Sequence, residues 1–546
     1  MIHDNRFIPI ITLIGDPLEN FYRLGKQDKN NCRPVLDEIK CLVQTPWKNI
    51  DKGISEAGVF LLKNSFPQNS PLKKHIEAYA EGLEIPFKEV ALGSFIPEII
   101  SSLHRWAPYF TPKNLGRTSY FMIDEKNNSP IHLQLINFSL LDNFDTHERF
   151  VVTQFPGETK ITSHGSLGLP YSSFSFMNSC GVTLATHLLQ NNIFNSKGSP
   201  LFEIIHDLMA YTKTPQDAIR ILKKRQSINS WSLYMLFKTG EVLLIELLGE
   251  VITTKILKLK EKQILCFSNL HANHHQQRKS TSHDDFLDYR KMIEASDYFK
   301  IKKLLKGEKL TEESLLKMIT SPLKKTQKEF INWKADSASP TMMAALTLNP
   351  KEESSLYIPG PAPKYYNGEF VQLAFKKKKE TYKHILDKGE YPGPEWKEGM
   401  KRLILGMQAY QKKELHTTYH QMQMACQFLE GFLEHKLARL YLAFYRALNE
   451  EEKENRQDIL KDLYDLKDDL PVFLKDHCLL FIWRLERMIG KKSKIKITDI
   501  ENSILQKTMK MENKIPKFLH FKLTAPLTHP RPDILTVEYA YNMNSA

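Results

Sequence analysis

The apolar pattern changes character once along this chain, and that change limits the folds open to it. Up to about Phe375, short β-branched and aromatic runs alternate with helical segments, separated by Gly, Pro and Asn. After Tyr391-Pro392-Gly393-Pro394 the runs lengthen, and Lys397 to Leu448 and Arg456 to Ile489 read as long amphipathic helices with charged outer faces. The pattern predicts an α+β domain over residues 1–380 and a mostly α-helical domain over 391–546. With 42% hydrophobic and 25% charged residues the chain has the composition of a folded protein and enough apolar material for both cores.

Local signals give the first part more detail. Phe150 to Gln154 and Val182 to Thr186 have the make-up of strands, and Ser232 to Phe237 with Val242 to Leu247 flank Lys238-Thr239-Gly240-Glu241 as a hairpin. Pro200 to Tyr211 and Thr214 to Arg225 space their apolar residues by three and four, the second opened by Thr214 as cap and Pro215 in the first turn. Ile534 to Tyr541 reads as one late strand. There is no internal repeat.

Several functional classes are set aside by what the chain lacks. The net charge of +13 is modest over 546 residues. Its densest basic run, Lys376 to Lys379, has neither interleaved aromatics nor a glycine-rich loop beside it, so nucleic-acid binding is not expected. The six cysteines show no C-x-x-C spacing and are too sparse for a disulfide framework, which fits a reducing compartment. Phe7 to Ile14 makes a poor signal peptide, and both it and His477 to Leu485 are too short to span a bilayer. A cytoplasmic protein without a transmembrane segment is the expectation.

Several segments, in order, carry a resemblance to a known family. Ile11-Thr12-Leu13-Ile14-Gly15-Asp16-Pro17, followed by Gly25, and Ala78-Tyr79-Ala80-Glu81-Gly82 come first. Gly116-Arg117-Thr118-Ser119-Tyr120-Phe121 and Asn137 follow, then Met177-Asn178-Ser179-Cys180-Gly181-Val182, the Ser232 to Leu247 hairpin with Glu246, and Ala272-Asn273-His274. Together they resemble the isopenicillin N acyltransferase family of N-terminal-nucleophile hydrolases (the peptidase C45 group), related to choloylglycine hydrolases. The resemblance spans most of residues 8 to 375. It implies a four-layer αββα sandwich, and a precursor that cleaves itself before a cysteine whose thiol and freed α-amine then attack an amide or thioester carbonyl. It implies no cofactor and no metal.

The match fails where that chemistry resides. The family's Gly-Cys-Thr-Ser reads here as Gly116-Arg117-Thr118-Ser119, and its Gly-Arg-Asn-x-Asp reads as Leu135-Ile136-Asn137-Phe138-Ser139. Arginine has no nucleophilic sulfur and no β-oxygen for an acyl shift, and it stays protonated. The cysteine, arginine and aspartate of the family are therefore Arg117, Ile136 and Ser139. Cleavage after Arg117 would leave Thr118 as an N-terminal nucleophile with its own amine as base. Strand alternation opposes this, since Thr118 should face away from the side on which Arg117 lies; Ser119 shares that side but sits about 7 Å further along. The site expected from the resemblance comprises Arg117 at the nucleophile position, Thr118 as its substitute, Asn137, Asn178 and Asn273.

Other clusters have plainer readings. Cys180 and Cys266 near the retained motifs read as inert strand cysteines. His271, His274 and His275, with Asp284 or Asp285, lack a spaced partner cluster for a metal. His416 and His420 stand at i and i+4 without the glutamate of a metalloprotease helix, and read as a surface pair. Tyr410, Phe428, Phe432, Tyr441 and Phe444 read as helix core. Three functions stay open at this point: an unprocessed, catalytically impaired homologue retaining a small acyl or amide ligand, an active amidohydrolase or acyltransferase using Thr118, and a scaffold whose helical domain binds a protein partner.

Overall fold

The computed structural model describes residues 8–41, 48–66, 70–96, 98–99, 116–137, 143–170, 175–189, 193–267, 309–320, 342–358, 369–375, 379–384, 394–412, 414–432, 434–449, 453–470, 472–501 and 503–514. These fall into two compact units, one drawn from residues up to 384 and the other from residues 394 onward. Ile534 to Tyr541 and most of Lys376 to Lys379 lie outside the described residues.

The first unit opens on β1 (Ile10–Ile14), which turns directly into α1 (Pro17–Cys41). Gly15 supplies the left-handed backbone of the turn at φ 93°, Asp16 Oδ1 accepts from the Glu19 amide at 2.8 Å as a cap, and Pro17 occupies the first helical position. Helices α2 (Lys48–Ser65), α3 (Pro71–Leu83) and α4 (Phe87–Ser94) follow. Where α1 crosses α3, two glycines meet: a Cβ on Gly25 would lie 2.3 Å from the Tyr79 carbonyl oxygen, and one on Gly82 would lie 2.1 Å from that of Tyr22. The backbones touch there, so neither position admits a side chain.

Fifteen strands then build two sheets among the described residues. The first has the order β1, β4 (Arg149–Gln154), β5 (Ile161–Gly165), β6 (Ser175–Asn178), β7 (Val182–Leu188), β8 (Ser230–Phe237), β9 (Glu241–Leu248), β10 (Val251–Lys258). It is antiparallel except for β1 against β4. The second has the order β11 (Leu265–Phe267), β2 (Gly116–Asp124), β3 (Ser129–Asn137), β12 (Met342–Leu348), β13 (Ser354–Tyr357), β14 (Glu369–Ala374), β15 (Lys379–His384), antiparallel throughout. The expected hairpin is β8 and β9, closed through Gly240 at φ 79°.

The sheets stack face to face. Phe121 of β2 packs against Tyr234 and Leu236 of β8 and Val242 and Leu244 of β9. Because side chains alternate along a strand, the residues between these positions point outward to helices. On the first sheet, Arg149 of β4 reaches Asp28 of α1, and Asn178 of β6 reaches the end of α5 (Leu201–Tyr211). On the second, Thr347 of β12 donates to Glu312 of α7 (Glu312–Thr320). This is the four-layer αββα sandwich. The helix expected from Thr214 is α6 (Pro215–Leu222), opened by a capping box between Thr214 and Asp217.

The second unit is helical. The run from Lys397 to Leu448 is three helices, α8 (Pro394–Gln411), α9 (Leu415–Phe428) and α10 (Glu434–Asn449); Gly431, at φ 83°, lies between the last two. The run from Arg456 to Ile489 divides into α11 (Lys453–Leu466) and α12 (Val472–Met488), and α13 (Ser503–Glu512) follows. Tyr441 and Phe444 are buried as expected, while Tyr410, Phe428 and Phe432 are half-buried. Arg484 forms a buried double hydrogen bond with Glu512, joining α12 to α13. No helix among the described residues is long and apolar enough to cross a membrane.

Candidate functional site

The β2–β3 hairpin holds Arg117 and Ile136, two of the positions singled out in the sequence. Its register pairs Gly116 with Asn137, Arg117 with Ile136, Thr118 with Leu135 and Ser119 with Gln134. Arg117 and Ile136 are therefore direct cross-strand partners in the backbone register, although they lie 19 positions apart in sequence.

Ser119 of β2 points between the sheets. Its Oγ is 2.9 Å from His187 Nε2 of β7 and 3.1 Å from His132 Nε2 of β3. His132 Nδ1 lies 2.8 Å from Thr183 Oγ1, and Gln134 Oε1 accepts from Ser175 Oγ at 2.5 Å. A buried polar layer thus ties β2 and β3 to β6 and β7, and its members have essentially no exposed surface. It continues across the first sheet: Ser175 is the cross-strand neighbour of His164, whose Nε2 is 3.6 Å from Glu148 Oε1, and Glu148 accepts from the Tyr357 hydroxyl of β13. Burial, with the adjacent Glu148 carboxylate, raises the Tyr357 pKa well above the ordinary phenol value.

A serine hydroxyl beside an imidazole is the pairing that nucleophilic catalysis uses. In this layer it serves packing as well: the Ser119 hydroxyl has one proton and two lone pairs, and two imidazoles engage it in a fully buried position.

Thr118 alternates to the other face, beside Leu135. It is buried, and its Oγ1 has no hydrogen-bond partner among the described residues. Asn178, expected at the site, lies on the outward face of β6. Its Nδ2 donates to the Met209 and Thr212 carbonyls at 3.0 and 2.9 Å, and its Oδ1 accepts from the Cys180 and Val182 amides at 3.1 Å each. Both protons and both lone pairs are thereby used in clasping the β6–β7 turn to the end of α5. The structure does not bring Thr118 or Asn178 together with Ser119. Asn137 is described only as the last residue of β3, while Asn273, His271, His274, His275, Asp284 and Asp285 lie outside the described residues.

Cys180 is half-buried in the β6–β7 turn and Cys266 half-buried in β11, opposite Tyr120 and so away from the face of Ser119. His416 and His420 are exposed on α9, and no described group of His, Cys, Asp or Glu has the arrangement of a metal site. Glu246 of β9 pairs across strands with Ser232 and accepts from Thr253 Oγ1 at 3.2 Å. The residues that sequence reasoning passed over are His132, Gln134, Ser175 and His187. Their signal is polar residues separated by an even number of positions within a strand: His132 and Gln134, two apart, and Thr183 and His187, four apart.

No family model matches this chain, and no curated protein matches it. Among solved structures it is similar to the Caenorhabditis elegans ortholog of N-acylethanolamine-hydrolyzing acid amidase, with TM-score 0.30, 10% identity, and coverage of 43% of this chain and 92% of that one. It is also similar to a mutant of conjugated bile acid hydrolase from Clostridium perfringens (TM-score 0.32, 11% identity, 51% and 99% covered). Penicillin V acylase from Agrobacterium tumefaciens is a third (0.30, 13%, 48% and 86%). Scores of this size carry no weight for fold or chemistry, which rest on the sheets and side chains described above.

Proposed function

We propose that this chain is a homologue of the amide-cleaving and acyl-transferring N-terminal-nucleophile hydrolases that is not processed and is catalytically impaired, retaining the binding of a small acyl or amide ligand. In this reading residues 1–380 are the acyltransferase-like domain, residues 391–546 a helical appendage, and the protein works in the cytoplasm. The observation that carries it is the register of β2 and β3. It sets Arg117 directly across from Ile136, so that in this reading the cysteine and the arginine expected from the resemblance are replaced at paired positions. Two replacements at paired positions are a change to a site, and the loss of the third group at Ser139 agrees with it.

The chemistry follows from the residue types. Acyl transfer through a covalent intermediate needs a nucleophile, a base and a donor for the developing oxyanion. Arg117 supplies none of the first two, and a side chain of Ile136 supplies no donor. Thr118 does not serve as substitute without a one-residue slip of β2, which would turn every side chain of the strand to the opposite sheet face.

Restoration tests the reading. The wild-type chain is expected to show no turnover of a chromogenic N-acyl amide. Arg117→Cys alone should at most permit chain cleavage, and Arg117→Cys with Ile136→Arg and Ser139→Asp should gain turnover. Turnover by the wild-type chain, or by Arg117→Cys at the level of the triple variant, would refute it.

A further inference from the structure

The chain leaving α12 carries its lysines on one side and its isoleucines on the other. Between Lys491 and Ile500 stand four lysines, Lys491, Lys492, Lys494 and Lys496, and one carboxylate, Asp499. Lys494 and Lys496 alternate with Ile495 and Ile497 on backbone that is extended at Lys496, with φ −100° and ψ 158°. All four lysines are exposed, whereas Ile495 and Ile497 pack against the cluster of Leu479, Leu480, Trp483, Ile500, Leu505 and Met509 that joins α12 to α13. The apolar side belongs to the core, and the charged side forms a ridge in solvent.

Both ends of the ridge are fixed. At the end of α12 the Lys491 amide donates to the Glu486 carbonyl at 2.8 Å and the Gly490 amide to that of Arg487 at 3.2 Å, with Gly490 left-handed at φ 80°. At the other end Asp499 Oδ2 accepts from the Lys496 amide at 2.8 Å, and Asp476 Oδ1 of α12 accepts from the Glu501 amide at 3.2 Å. The one carboxylate of the stretch is thus engaged with backbone. Among the described residues none of the four ammonium groups lies in an ion pair.

The kind of partner follows from what the ridge presents and what it withholds. Protein interfaces are anchored by buried aromatic and apolar side chains and are depleted in lysine. This stretch has no aromatic residue, and its isoleucines face inward. Single-stranded nucleic acid is held on aromatic platforms, and duplex bases are read by an element inserted in a groove; the ridge supplies neither. It supplies point charges along one line. A fluid bilayer containing anionic lipids meets such a line by bringing its own mobile charges to it, and attraction of this kind grows with each lysine.

We propose that the Lys491–Lys496 ridge docks the helical unit on an anionic lipid surface, its four ammonium groups at the level of the negative headgroups and no side chain of the ridge inserted into the bilayer. Docking is electrostatic and therefore reversible by salt.

The test is sedimentation of the full chain with vesicles of phosphatidylcholine alone and of phosphatidylcholine mixed with phosphatidylserine. The chain should bind only the mixed vesicles, and binding should fall to background as salt is raised to about 1 M, where the screening length is about 3 Å. Lys491→Gln, Lys492→Gln, Lys494→Gln and Lys496→Gln should each weaken binding about fivefold, and together about a hundredfold or more. Glutamine in place of Lys376 to Lys379, the densest basic run, should leave it within about twofold. Unchanged helical circular dichroism checks that the fourfold variant folds; if it does not, the single variants carry the test. Equal binding to neutral vesicles, binding that persists in high salt, an equal loss on neutralising Lys376 to Lys379, or capture by duplex DNA or polyglutamate in place of the mixed vesicles would overturn the proposal. The outcome is independent of whether the chain cleaves amides.

Discussion

Two sets of residues drew attention in the same stretch of sequence, and the sandwich separates them by layer. Gly15, Asp16 and Asn178 belong to joints between the first sheet and its helices, and Gly25 and Gly82 to the crossing of α1 and α3: a left-handed turn, a helix cap, a fourfold clasp and a backbone-to-backbone contact. Arg117 and Ile136 are paired by register on β2 and β3, the strands on which Ser119 and His132 join His187 of β7. The first set holds turns and chain crossings, and the second contains the positions on which the proposed loss of chemistry rests. Motif residues can persist because a chain crossing allows no other choice, and such persistence says nothing about whether chemistry has been kept.

The comparison can be broken most severely at the clasp. Asn178→Ala strands two carbonyls and two amides at the β6–β7 turn and the end of α5, and should cost about 3–4 kcal/mol in denaturant unfolding. A cost below about 1 kcal/mol would mean that Asn178 is not a joint. Next comes the crossing of α1 and α3. Gly82→Ala places a methyl group against the Tyr22 carbonyl, and the overpacking should exceed the helix-propensity gain by about 2 kcal/mol, read as a fall in denaturation midpoint at constant slope. The smallest effect belongs to β2. Thr118→Val removes a buried hydroxyl that has no partner among the described residues, and should leave stability within about 1 kcal/mol of wild type, in favour of valine. A large loss on that substitution would show that the hydroxyl is engaged.

Much of the architecture was legible in the sequence because its signals are local. Thr214-Pro215 announces a capped helix, and Gly240 closes the β8–β9 hairpin. Helix breaks in the second unit were harder, because amphipathic spacing continues across α8, α9 and α10 while the chain turns between them. The site was legible only in part. Arg117 and Ile136 were visible as separate substitutions, but their pairing depends on the register of the β2–β3 hairpin. The polar layer of Ser119, His132, His187 and Gln134 joins residues up to 68 positions apart, a pairing that no spacing rule supplies. Asn178 shows the same limit from the other side. β6 is buried on both faces, so burial could not tell which face the asparagine takes, and that choice separates a catalytic group from a turn clasp.

The proposal that this sandwich has kept its joints and given up its nucleophile meets its most direct test in the mass of the purified chain under denaturing conditions. The account predicts one species of 63.5 kDa that does not diminish on prolonged incubation. Two fragments meeting at residue 116 or 117, held together until denatured, would contradict it and return Thr118 to the position of a working nucleophile.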